Sequence, residues 1–298
     1  MDQDLDAAFV QRFGPPPRSL RVRANGAELH LLEWGDPAAQ PVLLIHGMRA
    51  HARWFTPVGP ALAAAGFRAL SLDLRGHGAS AHTPPYGHAV YGDDVRALVD
   101  VLELSRPIVV GHSMGGGVAV RAAASLGARL RALVVVDSPL GPPPRPRVLP
   151  AASEPPAERT ASEFASWHEA RVRFKLRPGD TVAAPELLDH LARHALRALP
   201  DGRFGWCFDA NVAQRFRNGA RTVTPPAPPD GSAIRCPVIS IWGGESPMLQ
   251  RIDPRDVTER FPSAAWTAVE IIPGAHHHVF LDQPEAFNAT LLRYLRTV

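Results

Sequence analysis

Ile108-Val109-Val110-Gly111-His112-Ser113-Met114-Gly115-Gly116-Gly117 is the stretch on which the reading of this chain turns. The apolar run after Pro107 predicts a strand buried on both faces of a sheet, and the residues that follow predict a helix over 115–126, stopping near Gly127. Gly-x-Ser-x-Gly set between a strand and a helix holds its serine on a strained turn at the top of a sheet, with the hydroxyl exposed. The glycines are a steric requirement, because side chains two residues either side of Ser113 would strike neighbouring strands. The helix that starts there aims its N-terminus at developing negative charge. The five-residue pattern alone also fits an ordinary glycine-rich turn; its position between a strand and a helix favours the functional reading.

Outward from this stretch, short apolar runs alternate with helical periodicity. Residues 20–35 alternate apolar and polar, as an antiparallel edge hairpin does, and Pro41-Val42-Leu43-Leu44-Ile45 is a buried strand closed by His46-Gly47. A helix over 57–65, a strand over 68–72, a helix over 90–104 and the strand Leu133-Val134-Val135-Val136, ending at Asp137, continue the pattern. The alternation predicts an α/β fold, a mostly parallel sheet with helices on both faces. Residues 1–19, polar and then proline-rich, read as a loose lead-in. After Asp137 the pattern breaks: 139–160 is crowded with proline, 161–218 carries helical stretches with several aromatics, and a second proline-rich loop spans 224–230. Strand-helix alternation resumes at Pro237, with a strand near 267–272 and a last helix over 284–297. The expected organisation is a core in two parts, 1–138 and 233–298, interrupted by a helical cap or lid over 139–232.

The totals narrow the function. At 298 residues and 45% hydrophobic, the chain can bury a sizeable core. Its 32 basic and 29 acidic residues are scattered without a block of like charge, so no nucleic-acid partner is expected. Cys207 and Cys236 have neither metal-ligand nor redox spacing, which fits a reducing, cytoplasmic setting. Neither a secretory signal nor an apolar run long enough for a membrane span is visible, so no membrane partner is expected. Oligomeric state is not readable.

In its elbow and three further segments the chain resembles the α/β-hydrolase superfamily, across most of its length outside the lid. His46-Gly47-Met48 follows the first buried strand, where similar proteins place an oxyanion-hole loop. The resemblance assigns the two donors to the backbone amides of Met48 and Met114. Asp73-Leu74-Arg75-Gly76-His77-Gly78-Ala79-Ser80 resembles the loop after the next strand, usually structural. Ile272-Pro273-Gly274-Ala275-His276-His277-His278, followed by Leu281-Asp282-Gln283-Pro284-Glu285, resembles the loop that carries the catalytic histidine. Relatives place that base five positions before the acidic residue, which selects His277.

The acid of the triad is where the sequence departs from its relatives. They put an aspartate three residues after the glycine that ends the penultimate strand, and in Trp242-Gly243-Gly244-Glu245-Ser246-Pro247 that position is Ser246. A serine cannot carry the charge that stabilises an imidazolium. Two replacements stand. Asp137 ends the preceding strand on the same edge of the sheet, where some relatives keep their acid, and it also reads as a structural cap on its loop. Glu245 lies one residue from the expected place, but neighbours on an extended segment point in opposite directions. Side-chain direction therefore favours Asp137. No metal is expected at the histidine run, because adjacent histidines on an extended loop do not readily share one ion and no carboxylate or cysteine has ligand spacing to them.

The implied chemistry is hydrolysis of a small-molecule ester, or related acyl bond, through a Ser113 acyl-enzyme with His277 as general base and no cofactor. Lactonase, carbon–carbon bond hydrolase and cofactor-free perhydrolase activities share the elbow. A ligand-binding, receptor-like homologue with little turnover is the alternative, and Ser246 in place of an acid is its support. Trp54, Phe55, Trp167 and Trp206 are the candidate walls of the substrate pocket; the cap aromatics equally serve a small core of their own.

Overall fold

The computed structural model describes residues 7–138, 140, 160–216, 231–250 and 252–298. Both proline-rich loops predicted to bound the cap, 139–160 and 224–230, lie almost wholly outside the described residues. In chain order the elements begin with α1 (Ala7–Phe13), β1 (Arg18–Ala24), β2 (Ala27–Trp34), β3 (Gln40–Ile45), α2 (Gly59–Ala64), β4 (Phe67–Asp73) and α3 (His88–Val101). Next come β5 (Ile108–His112), α4 (Met114–Leu126), β6 (Ala132–Val136), β7 (Glu163–Phe164), α5 (Trp167–Arg173), α6 (Pro185–His194), β8 (Leu196–Ala198) and β9 (Phe204–Trp206). The chain ends with β10 (Val238–Gly243), α7 (Pro254–Glu259), β11 (Thr267–Ile272), α8 (Val279–Asp282) and α9 (Pro284–Leu295).

Eight strands form one sheet in the order β1-β2-β4-β3-β5-β6-β10-β11. The β1–β2 and β2–β4 pairs are antiparallel and the others parallel, as the wholly apolar central runs require. Strand alternation divides the core between the two faces. Leu43, Ile45, Val109, Leu133 and Val135 pack with Leu98 and Val118 of α3 and α4, whereas Val42, Leu44, Val110, Val134 and Ile241 pack with Leu62, Phe287 and Leu291 of α2 and α9. Every residue of β5, β6 and β10 is buried, while the edge strands β1 and β11 are half exposed. Among the described residues no helix is long and apolar enough to cross a membrane.

Two expectations are corrected. The lead-in contains α1, whose Phe9 and Phe13, one helical turn apart, are buried, Phe9 packing on His190 of α6. The cap is not purely helical: β7, β9 and β8 form an antiparallel sheet, with Pro200-Asp201-Gly202 turning the chain between β8 and β9. Gly202 takes a φ of +83 there, and that turn punctuation outweighs the helical spacing of the apolar residues around it. The inserted residues also divide in their packing. Phe164, Ala170 and Leu196 make a small cluster of their own, whereas Leu176, Leu187 and Leu191 join the main core.

Buried histidines give this fold a defined acid response. Burial, which disfavours the imidazolium, pushes His51 down to about 4 and His190 and His278 down to about 3, and lowers His46, His77 and His112 as well. In the unfolded chain these groups titrate near 6.5, so below that pH the unfolded state binds protons that the folded state refuses. Stability is therefore lost as pH falls from about 6.5 toward the folded values, each histidine adding a slope approaching about 1.4 kcal/mol per pH unit. The melting temperature is expected to be flat between about pH 7 and 8 and to fall steeply between about 6.5 and 5, with net proton uptake on unfolding in calorimetry. Equal melting temperatures at the two ends of that range would contradict this. A second expectation concerns the end of β10, where a Cβ on Gly243 would stand 2.1 Å from the His276 carbonyl oxygen and 2.5 Å from that of Ala275. Gly243→Ala should cost about 1–3 kcal/mol in chemical denaturation, because backbone must move to admit it.

Candidate active site

The turn after β5 holds Ser113 at φ 55 and ψ −122, a backbone conformation that costs a non-glycine residue about 1–3 kcal/mol. Three hydrogen bonds fix it: the Ser113 N–H donates to Val136 O at 2.9 Å, and Ser113 O accepts the Ser138 hydroxyl at 2.6 Å and the Gly116 N–H at 2.9 Å. A Cβ on Gly111 would lie 2.2 Å from Gly115 O, and one on Gly115 2.4 Å from Ile45 O, so both flanking glycines are sterically required. Met114 opens α4, and its N–H is one of the first-turn donors that no helical carbonyl can reach.

Strand register brings the next groups to the same edge. His112 pairs with Val136 and Val136 with Ile241, so Ser113 and Asp137 leave adjacent strands at one level. His277, on the loop after β11, bridges them. The Ser113 hydroxyl donates to His277 Nε2 at 3.0 Å, and His277 Nδ1–H donates to Asp137 Oδ1 at 2.8 Å. Asp137 is fully buried, and its carboxylate accepts two further donors: the Ser246 hydroxyl at 2.7 Å on Oδ1 and the Gly243 N–H at 2.9 Å on Oδ2. Glu245 is exposed, and its backbone N–H donates to Ala275 O. The structure thus brings Ser113, His277 and Asp137 together and leaves Glu245 outside the cluster. Ser246, read from sequence only as a missing acid, is a donor to the Asp137 carboxylate.

Asp282 anchors the histidine loop. Its Oδ2 accepts the His276 N–H at 2.8 Å, and its Oδ1 accepts the Thr181 hydroxyl and the Val182 N–H from the inserted segment. On the opposite side, a Cβ placed on Gly47 would stand 3.2 Å from Ser113 Cβ and 3.6 Å from Ser113 Oγ, so the Gly47-Met48 backbone runs directly past the hydroxyl. His46 holds this segment: its Nδ1–H donates to Gly47 O at 2.7 Å and its Nε2 accepts the Leu74 N–H at 3.1 Å. That second bond needs a free lone pair, which burial supplies by lowering the His46 pKa. The loop after β4 is itself organised by Asp73, which accepts from His30, Ala52 N–H and Ala79 N–H. Burial works against its charge, yet the His30 and His46 imidazoles and the Ala79 N–H hold its carboxyl down at about 2.

The predicted pocket walls separate. Phe55 is a correction: it is fully buried and stacked on Phe280 at 4.7 Å, inside the main core. Trp54 is buried edge-on to His278, 5.0 Å between centroids, one residue along from His277. Trp167 and Trp206 belong to the small cap cluster, Trp206 packing on Phe164 at 4.9 Å. Sequence reasoning missed Arg49, a residue at φ 60 directly after Met48 whose guanidinium lies 5.5 Å over the Phe208 ring, tying the cap to this loop. A cavity of about 610 Å³ opens between the β1–β2 edge, the loop after β4 and the cap, with His51, Asp73, His194 and Arg197 among its lining, and neither Ser113 nor His277 lines it.

The expectation that the histidine run lacks chelating geometry considered the loop alone. In the fold His112, from the end of β5, joins His277 and His278, and one ring nitrogen from each lies within 4.8 Å of the others.

With this geometry in hand, known proteins supply the family. The sequence profile of the alpha/beta hydrolase family matches residues 42–290. A mouse sn-1-specific diacylglycerol lipase, ABHD11, is 25% identical over 98% of this chain and 95% of its own length. A putative carbamate hydrolase, RutD, from Caulobacter sp. (strain K31) is 30% identical over 88% of this chain and 93% of its own. Among solved structures, E-2-(acetamidomethylene)succinate hydrolase superposes with a TM-score of 0.75 at 22% identity, covering 94% of this chain and 99% of that one. The profile spans both parts of the core and every strand from β4 to β11, and this chain belongs to the alpha/beta hydrolase family.

Proposed function

We propose that the protein hydrolyses a small-molecule carboxylic ester, or a related acyl bond, through an acyl-enzyme on Ser113. The observation that carries this is the continuous chain of hydrogen bonds from the Ser113 hydroxyl through the His277 imidazole to the buried carboxylate of Asp137. In this reading His277 takes the proton from Ser113 as oxygen attacks the carbonyl carbon, then returns it to the leaving group. Asp137 fixes the tautomer and offsets the imidazolium charge, and the same imidazole activates the water that releases the acid. The N–H groups of Met48 and Met114 receive the oxyanion, Met114 adding the field of the α4 N-terminus.

The relatives act, by their names, on a diacylglycerol and a carbamate, which supports an acyl or carbamoyl carbonyl as the reacting centre. The binding-protein alternative drew on Ser246 where an acid is usual. A Ser246 that donates to Asp137 supports turnover instead. Lactonase, carbon–carbon hydrolase and perhydrolase chemistry fall under the same acyl-transfer reading, and a substrate panel separates them. The two cysteines, both free and buried, support a reducing, cytoplasmic setting.

A fluorophosphonate is expected to label the protein once per chain, with the label mapped to Ser113 and abolished in Ser113→Ala, alongside turnover of p-nitrophenyl acetate. An unlabelled wild-type protein without turnover would overturn the reading. Asp137→Asn should lower kcat by about 10⁴-fold while leaving the elbow folded, as expected when the imidazole loses the carboxylate that orients it. Glu245→Gln should change kcat by less than about 2-fold, since a surface substitution away from the site is energetically near neutral; the reverse pattern would move the acid to Glu245.

A further inference from the structure

The rings of His112, His277 and His278 form a close triangle at the elbow. Their centroids are 4.8, 5.5 and 4.9 Å apart, and one nitrogen from each ring falls within 4.8 Å of the others. All three are buried. Each also has one nitrogen committed as a donor to a group that can only accept. His112 Nε2–H donates to His277 O at 3.0 Å, His278 Nε2–H to Pro178 O at 3.2 Å, and His277 Nδ1–H to Asp137 Oδ1 at 2.8 Å. That assignment fixes the tautomers and leaves a lone pair on the opposite nitrogen of each ring. The Nδ1 atoms of His112 and His278 have no hydrogen-bond partner among the described residues, while His277 Nε2 accepts only the Ser113 hydroxyl.

Buried imidazoles with free lone pairs and their other nitrogen hydrogen-bonded to a carbonyl or carboxylate are the arrangement that tetrahedral zinc sites use. Three nitrogens at about 2.0–2.1 Å from one ion stand about 3.3 Å apart, and imidazoles whose centroids lie 4.8, 5.5 and 4.9 Å from one another bring that spacing within reach of modest ring movements. His112 faces the same space as the nucleophile: the Cβ position on Gly47 that lies 3.6 Å from Ser113 Oγ is 3.3 Å from His112 Nδ1. We propose that His112 Nδ1, His278 Nδ1 and His277 Nε2 form an inhibitory site for a tetrahedral, imidazole-preferring divalent cation such as Zn²⁺. Binding takes the lone pair that would accept the Ser113 proton, and chemistry stops until the ion leaves. Coordination requires only the three imidazoles; that it inhibits rests on the reading of His277 as the base.

The test uses the full, untagged chain. Co²⁺ added to Ser113→Ala should develop the intense visible bands of a tetrahedral ion at one equivalent, and Zn²⁺ should displace it. Zn²⁺ should also inhibit wild-type hydrolysis of p-nitrophenyl acetate, with recovery on adding EDTA. His278→Gln and His112→Gln place an amide N–H near the Nε2 position, keeping the donor while deleting the Nδ1 ligand. Each should keep the circular dichroism of the wild type while weakening both Co²⁺ binding and zinc inhibition by about 10-fold or more. Absence of tetrahedral Co²⁺ bands, or zinc inhibition unchanged in both variants, overturns the site. Co²⁺ binding in a chain that hydrolyses nothing would leave the site standing and strike the enzyme reading alone.

Discussion

Parallel pairing of β5 with β6, in the register that sets His112 against Val136, is the constraint from which the candidate site follows. It puts Ser113 and Asp137 on adjacent strands at the same height, each in a left-handed backbone conformation just past the last paired residue. A single imidazole between them can then reach both. Ser246 and the Gly243 N–H, beyond the next strand, hold the Asp137 carboxylate from that side. A buried carboxylate with three donors meets its hydrogen-bonding needs without an ion pair other than the one it would make with His277 in its charged form.

The inserted segment is bound to the loops that carry the chemistry. His51 Nε2–H donates to Leu191 O, Thr56 meets His190, and Asp282 clasps Thr181 and Val182 while holding the His276 N–H. These contacts run from α6 and the residues before it to the loop after Met48 and to the histidine loop. Any displacement of α6 therefore bears on the loop after Met48 and on His277. Arg49 over Phe208 is a further contact between the inserted segment and the loop after β3.

The parts legible in the sequence were those fixed by local rules. Unbroken apolar runs such as Val42–Ile45 and Leu133–Val136 can only be strands buried on two faces, and Gly111-x-Ser113-x-Gly115 admits few backbones other than an elbow. Side-chain direction argues for Asp137 over Glu245; Asp137 lies buried against His277 Nδ1 and Glu245 is exposed. What escaped depended on partners distant in sequence. Phe9 and Phe13 make a helix worthwhile only because α6 lies beside them, and the β8–β9 hairpin needed more weight on Pro200-Asp201-Gly202 than on its apolar spacing. Phe55 is core because Phe280 stacks on it. No spacing rule joins His112 to His277 and His278, because the link is made by the sheet and not by the chain.

Everything chemical here depends on an imidazole suspended between a hydroxyl and a carboxylate. Proton NMR of the native protein reads that bond directly, because an Nδ1–H shared with a buried carboxylate resonates far downfield of the amide envelope. One such resonance is expected, assigned to His277 by its loss on replacing that residue, unaltered in Glu245→Gln and displaced in Asp137→Asn. A native spectrum without the resonance, or one that responds to Glu245 and ignores Asp137, would contradict the account.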